Sequence, residues 1–527
     1  MNRKNTLLTL VMIFCTLFSV FSQAGKPDDL IIKVGEEIKT SKKEFIDKII
    51  GKDDEGTYVM AKYADQMTIF YYLNDLTLKK KTSFKLSYQK KALSYRGIVQ
   101  MGSEFFMFTT YRDKKKKMTY LYSQKLNKST LEFNSPRELA HASYEGYKKR
   151  ESASYSFKIS ADSNFLMFIT DLPTGKKEDV DRFGLMVFDY DMEEVWSQKS
   201  IEIDETETSF YRYDSQIGND GKVYLLAKIY DTSKKYKKGE INYTFEMMVY
   251  EADEGEPESF SVTLEGQFMS DVNFEQLDNG NIQVVGFYSD RGGIQNGVFN
   301  LIIDNESKEI VSEETTEFPT DFIVQHSSEK AKKKAAKREA KGKEVAFYSY
   351  VIDDLIENKD GTITMIGEQY RYYVTCTTDA NGNQRCTYHY IYGNIIVVKF
   401  NEDGEVDWME LIPKYQHTTN DGGYYSGYAL VELPDGTLKF IFNDSPKNSY
   451  YAQNGKFYGW KRSPKKTDIV LFSLTTEGRL DRYVLAKGDE EEVMSRPSVS
   501  VQIDANEMIL LGEARKKTKF FKLTFED

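Results

Sequence analysis

The chain has 527 residues, with 71 Lys and Arg against 82 Asp and Glu and a formal net charge of -11. That balance is ordinary for an acidic soluble protein and argues against a general nucleic-acid binder. Tyr and Phe are abundant (37 and 33), Pro is scarce (10), and amphipathic helical stretches are nearly absent, so strands dominate the expectation.

The N-terminus reads as a signal peptide over residues 1–24. Arg3 and Lys4 supply the positive start, and Leu7 to Phe21 form an apolar stretch too short for an ordinary membrane span. Ser22-Gln23-Ala24 is a small-x-small cleavage site. Cys15 sits inside the apolar stretch behind bulky Phe14, which speaks against a lipoprotein anchor. The expected mature chain starts at Gly25, has a formal charge of -13 and carries no transmembrane segment. An exported monomer, periplasmic or extracellular, is the expectation.

Further along, a short phrase recurs. A turn such as Asp-Gly or Asn-Gly is followed at once by an apolar strand. The clearest copies are Asn219-Asp220-Gly221, Asp278-Asn279-Gly280, Lys359-Asp360-Gly361 and Pro434-Asp435-Gly436. Weaker copies begin at Asp53, Met101, Asp162 and Asp504, which makes eight. The units around them repeat four strands, as in YVIDDLIE, TITMIGEQY, NIIVVKFN and EVDWMELIP. Repeated four-stranded antiparallel units predict an all-β fold, a single β-propeller over residues 25–527. The last unit supplies only PSVSVQI, EMILLGEA and KFFKLTFED. The unassigned LIIKVGEEI from Leu30 would complete it and hide both edges, giving eight blades. Seven blades is the alternative if the divergent second unit is incomplete.

The third-to-fourth hairpin Asn401-Glu402-Asp403-Gly404 with Trp408, echoed by VFDYDMEEVW ending at Trp196, resembles bacterial exported β-propellers of the uncharacterised Bacteroidota type. The resemblance covers most of residues 28–527. It implies the fold and an exported location, and it carries no catalytic residue.

In such a fold the first-to-second and third-to-fourth turns share one face, which collects Asp53-Asp54-Glu55, Asp191 to Glu194, Asp304 to Glu309 and Glu402-Asp403 and should be acidic. The opposite face collects Arg112, Lys114 to Lys117, Lys176-Lys177, Lys234 to Lys238, Lys461 to Lys466 and Arg515 to Lys517. A basic insertion, residues 327–346, adds Lys332, Lys333, Lys334, Lys337 and Arg338 to that face. It should form a helix of about 14 residues capped by Ser327 or Ser328. Its two readings are a solvated insertion and a cationic arm for an anionic envelope surface.

Cys376 and Cys386 flank Asp379-Ala380-Asn381-Gly382-Asn383. A three-residue hairpin loop ending on Gly382 places the two cysteines opposite each other, which predicts a disulfide. The extended hairpin carries Tyr372, Tyr388, His389 and Tyr390. The following connections carry His417, Tyr424, Tyr425, Tyr451, Tyr458, Trp460, Lys461 and Arg462. All of these except the two histidines are the candidate ligand-binding residues, since loop aromatics can stack on sugars or grip peptides. The competing expectation is that the rings pack the long loops onto one another.

No catalytic signature stands out. The four histidines have no tight metal spacing, and there is no nucleophile elbow or P-loop. Asp379 to Asn383 and Asn401 to Gly404 lack the ligand set of a calcium loop, so neither a metal nor a cofactor is expected. A non-enzymatic module binding a protein, glycan or envelope surface is the first expectation. A propeller hydrolase acting on polysaccharide is the alternative, marked by carboxylates converging in the channel with perturbed pKa values.

Overall fold

The computed structural model describes residues 27, 29–38, 44–147, 152–174, 180–233, 239–252, 255–450, 457–514 and 517–526. The expected signal peptide lies outside the described residues, as do Lys176, Lys177, Lys234 to Lys238, Tyr451, Arg515 and Lys516.

Among the described residues the strands form eight antiparallel sheets of four or five strands, taken in chain order, and one two-stranded ribbon. This is a β-propeller architecture. The first strands of the units are Phe45–Lys52, Ser94–Met101, Ser154–Ile159, Thr208–Ile217, Phe268–Gln276, Tyr350–Glu357, Ala429–Glu432 and Val501–Asp504. The divergent second unit forms a full sheet, with Ser94–Met101, Glu104–Asp113, Met118–Asn127 and Arg137–Ser143 paired in order. The last unit receives Leu30–Val34, which pairs antiparallel with Lys517–Phe525 in the register Leu30 to Phe525 and Val34 to Phe521.

Packing explains the strand composition. Second and third strands are covered on both faces, so they read as continuous apolar runs; every residue of Ile282–Ser289 and Gly297–Ile303 is buried. Outer fourth strands face water, as in LKKKTSFK at Leu78–Lys85. A buried apolar cluster lies between each pair of consecutive units, for example Phe245, Met247 and Phe274 between the fourth and fifth. Another joins the last unit to the first through Ile509, Leu511 and Phe520 against Ile46, Val59 and Phe70. Two tryptophans on fourth strands reach into the next unit: the Trp196 indole donates to the Gly221 carbonyl at 2.9 Å, and Trp408 to that of Thr476 at 2.9 Å.

The recurring turns are built as their residues require. Gly221, Gly280, Gly361 and Gly436 all have φ between +76° and +89°, where a Cβ is disfavoured. Asp220, Asp360 and Asp435 accept the backbone N–H two residues on.

The helical insertion is shorter than its sequence suggested. A four-residue helix α1 (Thr320–Ile323) precedes α2 (Glu329–Glu339), which spans 11 residues. Ser328 caps α2 through the Ala331 N–H, and Ala340-Lys341-Gly342 ends it. No helix among the described residues is long and apolar enough to cross a membrane.

Candidate functional site

The sixth unit differs from the others in the length of its middle strands. Ile363–Thr378 and Gln384–Phe400 run 16 and 17 residues, against seven or eight in the fifth and seventh units. Their far halves project past the sheet as a hairpin. Its loop has the expected form: the Asp379 N–H bonds to the Asn383 carbonyl at 3.0 Å, and Gly382 has φ +82°. Cys376 pairs with Cys386 in the ladder and the two are joined by a disulfide. A third strand, Gln416–Thr419, pairs with the inner part of the projection from Tyr392 to His389.

Pleating gives the hairpin two faces. One carries Tyr370, Tyr372, Val374, Tyr388, Tyr390 and Tyr392, as the register Tyr372 to Tyr390 and Val374 to Tyr388 dictates. Tyr372 and Tyr388 lie nearly parallel, 17° between planes and 6.4 Å between centroids, and Tyr390 sits 5.3 Å from Tyr372. These rings remain open to water: Tyr372 is 47% exposed, Tyr388 44%. The other face carries Arg371, Tyr373, Thr375, His389 and His417. Tyr373 stacks on His389 at 4.4 Å and 5°, and the His389 Nδ1 to His417 Nε2 distance is 3.0 Å. Burial, His389 and Arg371 hold His417 below the usual imidazole range.

The remaining aromatic candidates do not join this platform. Trp460 is buried among Met494 and Ala514, and its indole donates to the Thr467 hydroxyl at 2.9 Å. Tyr424 donates to Glu513 at 2.9 Å and lies under the Arg496 guanidinium, 4.0 Å from the ring centroid. Tyr425 packs edge-on against Tyr424 and against the Trp460 cluster, and Arg462 is tied to Asp421 at 2.7 Å. Tyr458 is held through its backbone by Asn448. Tyr424, Tyr425 and Trp460 thus clasp the sixth and seventh units to the eighth, so their aromatic character serves packing. Lys461 is exposed beside them. Tyr451 lies outside the described residues.

Helix α2 stands at the same end of the sixth unit. His326, just before it, contacts the Leu411 carbonyl at 2.8 Å, and burial pulls its pKa down to about 4. Ala335 is buried under the helix, while Lys333, Lys334, Lys337 and Arg338 face water; Lys332 is half-buried beside Glu329 at 3.6 Å. Ala335 alone anchors the helix, with Ala331 half-buried and Ala336 and Ala340 exposed, and the charge is left outside.

A second feature escaped the sequence reading. First strands approach one another along the inner side of the sheets, and those of the fifth to seventh units are acidic. Asp271 and Glu275 lie on Phe268–Gln276, Asp353, Asp354 and Glu357 on Tyr350–Glu357, and Glu432 on Ala429–Glu432. Burial pushes Asp271 up to about 6, the Ile352 N–H opposes the shift, and neighbouring Asp353 adds to it. Burial, then repulsion from Asp354 and Glu357, pushes Glu275 up to about 7. Asp353 and Asp354 are open to water yet also raised by burial among the neighbouring first strands. Tyr428 donates to Asp353 at 2.8 Å, and behind it lies a fully buried ion pair, Lys414 with Glu368. Strands such as DVNFEQ and VIDDLIE carried the signal, but acidic residues are too common here to single them out.

Among the described residues no group of three or more His, Cys, Asp or Glu is arranged to hold a metal ion.

No family model matches the chain, and no curated protein does. Among solved structures it is similar to the β-propeller domain of the Trilobed protease from Pyrococcus furiosus, at 10% identity and TM-score 0.34, covering 82% of this chain and 94% of that one. It is also similar to quinohemoprotein alcohol dehydrogenase from Comamonas testosteroni, at 9% identity and TM-score 0.43, covering 97% of this chain and 79% of that one. Prolyl oligopeptidase B from Galerina marginata matches at 9% identity and TM-score 0.39, over 90% of this chain and 56% of that one. The assignment of fold rests on the sheets themselves.

Proposed function

We propose that the protein is an exported eight-bladed β-propeller of the Bacteroidota type, closed by its N-terminal strand, that binds glycan of the cell envelope through the hairpin of the sixth blade. Closure is supported by the pairing of Leu30–Val34 with Lys517–Phe525 and by the packing of the last unit on the first. The observation that carries the binding role is the tyrosine face, with Tyr372 and Tyr388 exposed and Tyr390 half-buried beside them, on a disulfide-stapled hairpin that projects past the sheet. Flat rings with hydroxyl tips suit sugar, which offers apolar C–H faces and hydroxyl edges. Val374 is the one aliphatic side chain among these tyrosines, which disfavours an apolar protein partner. Exposed lysines of α2 at the same end of the blade favour a glycan bearing anionic groups. Binding of the mature chain to an array of neutral and anionic polysaccharides tests this. Loss of the strongest signal by tenfold or more in Tyr372→Ala/Tyr388→Ala supports the reading; an array without signal, or signal unaffected by the substitutions, rejects it.

A hydrolase acting on polysaccharide is favoured by one observation, the raised pKa of Glu275 beside Asp354 and Glu357. A carboxyl protonated near neutrality can serve as a general acid beside an ionised one. Release of reducing ends from an array-positive glycan, abolished by Glu275→Gln, would establish it.

A further inference from the structure

We propose that His389 and His417 form a two-imidazole site for a borderline divalent cation such as Zn2+, Ni2+ or Cu2+, with water completing the coordination. The site lies on the face of the hairpin opposite the tyrosines, and it does not depend on glycan binding.

The two rings come from different strands, residues 384–400 and 416–419, and meet because His389 pairs with Thr419 and Ile391 with His417. His389 Nδ1 and His417 Nε2 stand 3.0 Å apart and share a proton. Two nitrogens bound about 2.0–2.1 Å from one tetrahedral Zn2+ stand about 3.3 Å apart. In cis positions of a tetragonal Cu2+ or Ni2+ they stand about 2.9 Å apart. The observed ring centroids are 5.3 Å apart, and a tetrahedral bis-imidazole complex requires about 5.2 Å. The rings therefore have to pivot about χ2 without moving apart. On binding, the ring that carried the shared proton changes tautomer, exchanging that proton through solvent for one on its far nitrogen, and each facing nitrogen donates its lone pair to the cation.

The surroundings prepare His389 for this role. Thr375 Oγ1 lies 2.9 Å from His389 Nε2, where it accepts the N–H that a ring metallated at Nδ1 carries. Stacking on Tyr373 orients the unmetallated ring, and the pivot about χ2 tilts it out of that stack. The disulfide farther out holds the strand pair in register. His417 is exposed, so water can fill the open positions. Arg371, beside Tyr373 at 5.4 Å, opposes a cation and weakens its binding. Two neutral nitrogen donors without a carboxylate exclude Ca2+ and Mg2+.

The chain's four histidines make the test clean. His326 is buried against the Leu411 carbonyl, and His141 is engaged by Glu138 at 2.8 Å, far along the chain in the second unit. Untagged mature protein is titrated with NiCl2 and ZnCl2 by calorimetry. One equivalent should bind, at least tenfold more weakly in His389→Gln and in His417→Gln and unchanged in His141→Ala, with thermal unfolding of each variant recorded alongside. Cu2+ electron paramagnetic resonance of the wild-type protein gives a readout that needs no variant: coupling to two nitrogens is expected. Absence of stoichiometric binding, affinity unaltered in His417→Gln, or a Cu2+ spectrum without nitrogen coupling overturns the proposal.

Discussion

The two middle strands of the sixth unit obey different rules along their length. Their inner halves, Ile363 to Gly367 and Ile395 to Phe400, are buried on both faces by the neighbouring units. Their outer halves, from Tyr370 to Thr378 and from Gln384 to Tyr392, leave most side chains half or fully exposed. The core half gains its stability from apolar area removed from water, at roughly 25 cal/mol per Å2. The projecting half has no sheet packed against it, so cross-strand pairs worth about 0.2–1 kcal/mol each, a third strand and a covalent staple replace that burial.

Disruption of the core half, or of the proposed closure of the sheets, should have the largest consequences. Deleting residues 28–37 removes the strand paired with Lys517–Phe525 and opens the sheet edge. Loss of cooperative thermal unfolding is expected; an unaltered melting curve would mean that the N-terminal strand does not close the fold. Next comes Lys414→Ala, which strands Glu368 in a site where both partners are buried. Orphaning a buried charge costs about 3–5 kcal/mol, which chemical denaturation will resolve.

In the projecting half the effects are smaller and local. Cys376→Ser/Cys386→Ser removes a staple worth at most about 3 kcal/mol by loop entropy. Hydrogen exchange should quicken for residues 371–391 and stay unaltered in Ile395 to Phe400. Spread of the change into the core strands would show that the two halves are one cooperative unit.

An effect visible only as pH varies concerns the acidic first strands. Glu275 has a folded-state pKa of about 7, above its ordinary value of 4.5. The native state then holds more protons than the unfolded chain between these values, so this residue's contribution favours folding in acid and is lost as pH rises toward 7. Glu275→Gln should raise the melting temperature at pH 8 and leave it unchanged at pH 4. Equal shifts at both pH values would remove the electrostatic explanation.

How far the sequence could be read depended on whether the determinants were local. The turns were legible because Gly221, Gly280, Gly361 and Gly436 each occupy positive φ in a short motif. The disulfide was legible because one three-residue loop fixes the register of Cys376 and Cys386. Trp460, Tyr424 and Tyr425 look the same in sequence as Tyr372 and Tyr388. What separates them is contact with Arg496, Glu513, Met494 and Ala514 from the last unit, which no local pattern records. The histidine pair is likewise made by strand pairing across 28 residues of chain.

The most direct test of the tyrosine face is a polysaccharide-binding isotherm for wild-type and Tyr372→Ala/Tyr388→Ala proteins, with unfolding measured on both. Both rings are exposed, so stability should change by less than about 0.5 kcal/mol per substitution. Tenfold or greater loss of affinity in a protein that folds as before is the predicted result. Retained affinity in that folded double variant would contradict the account.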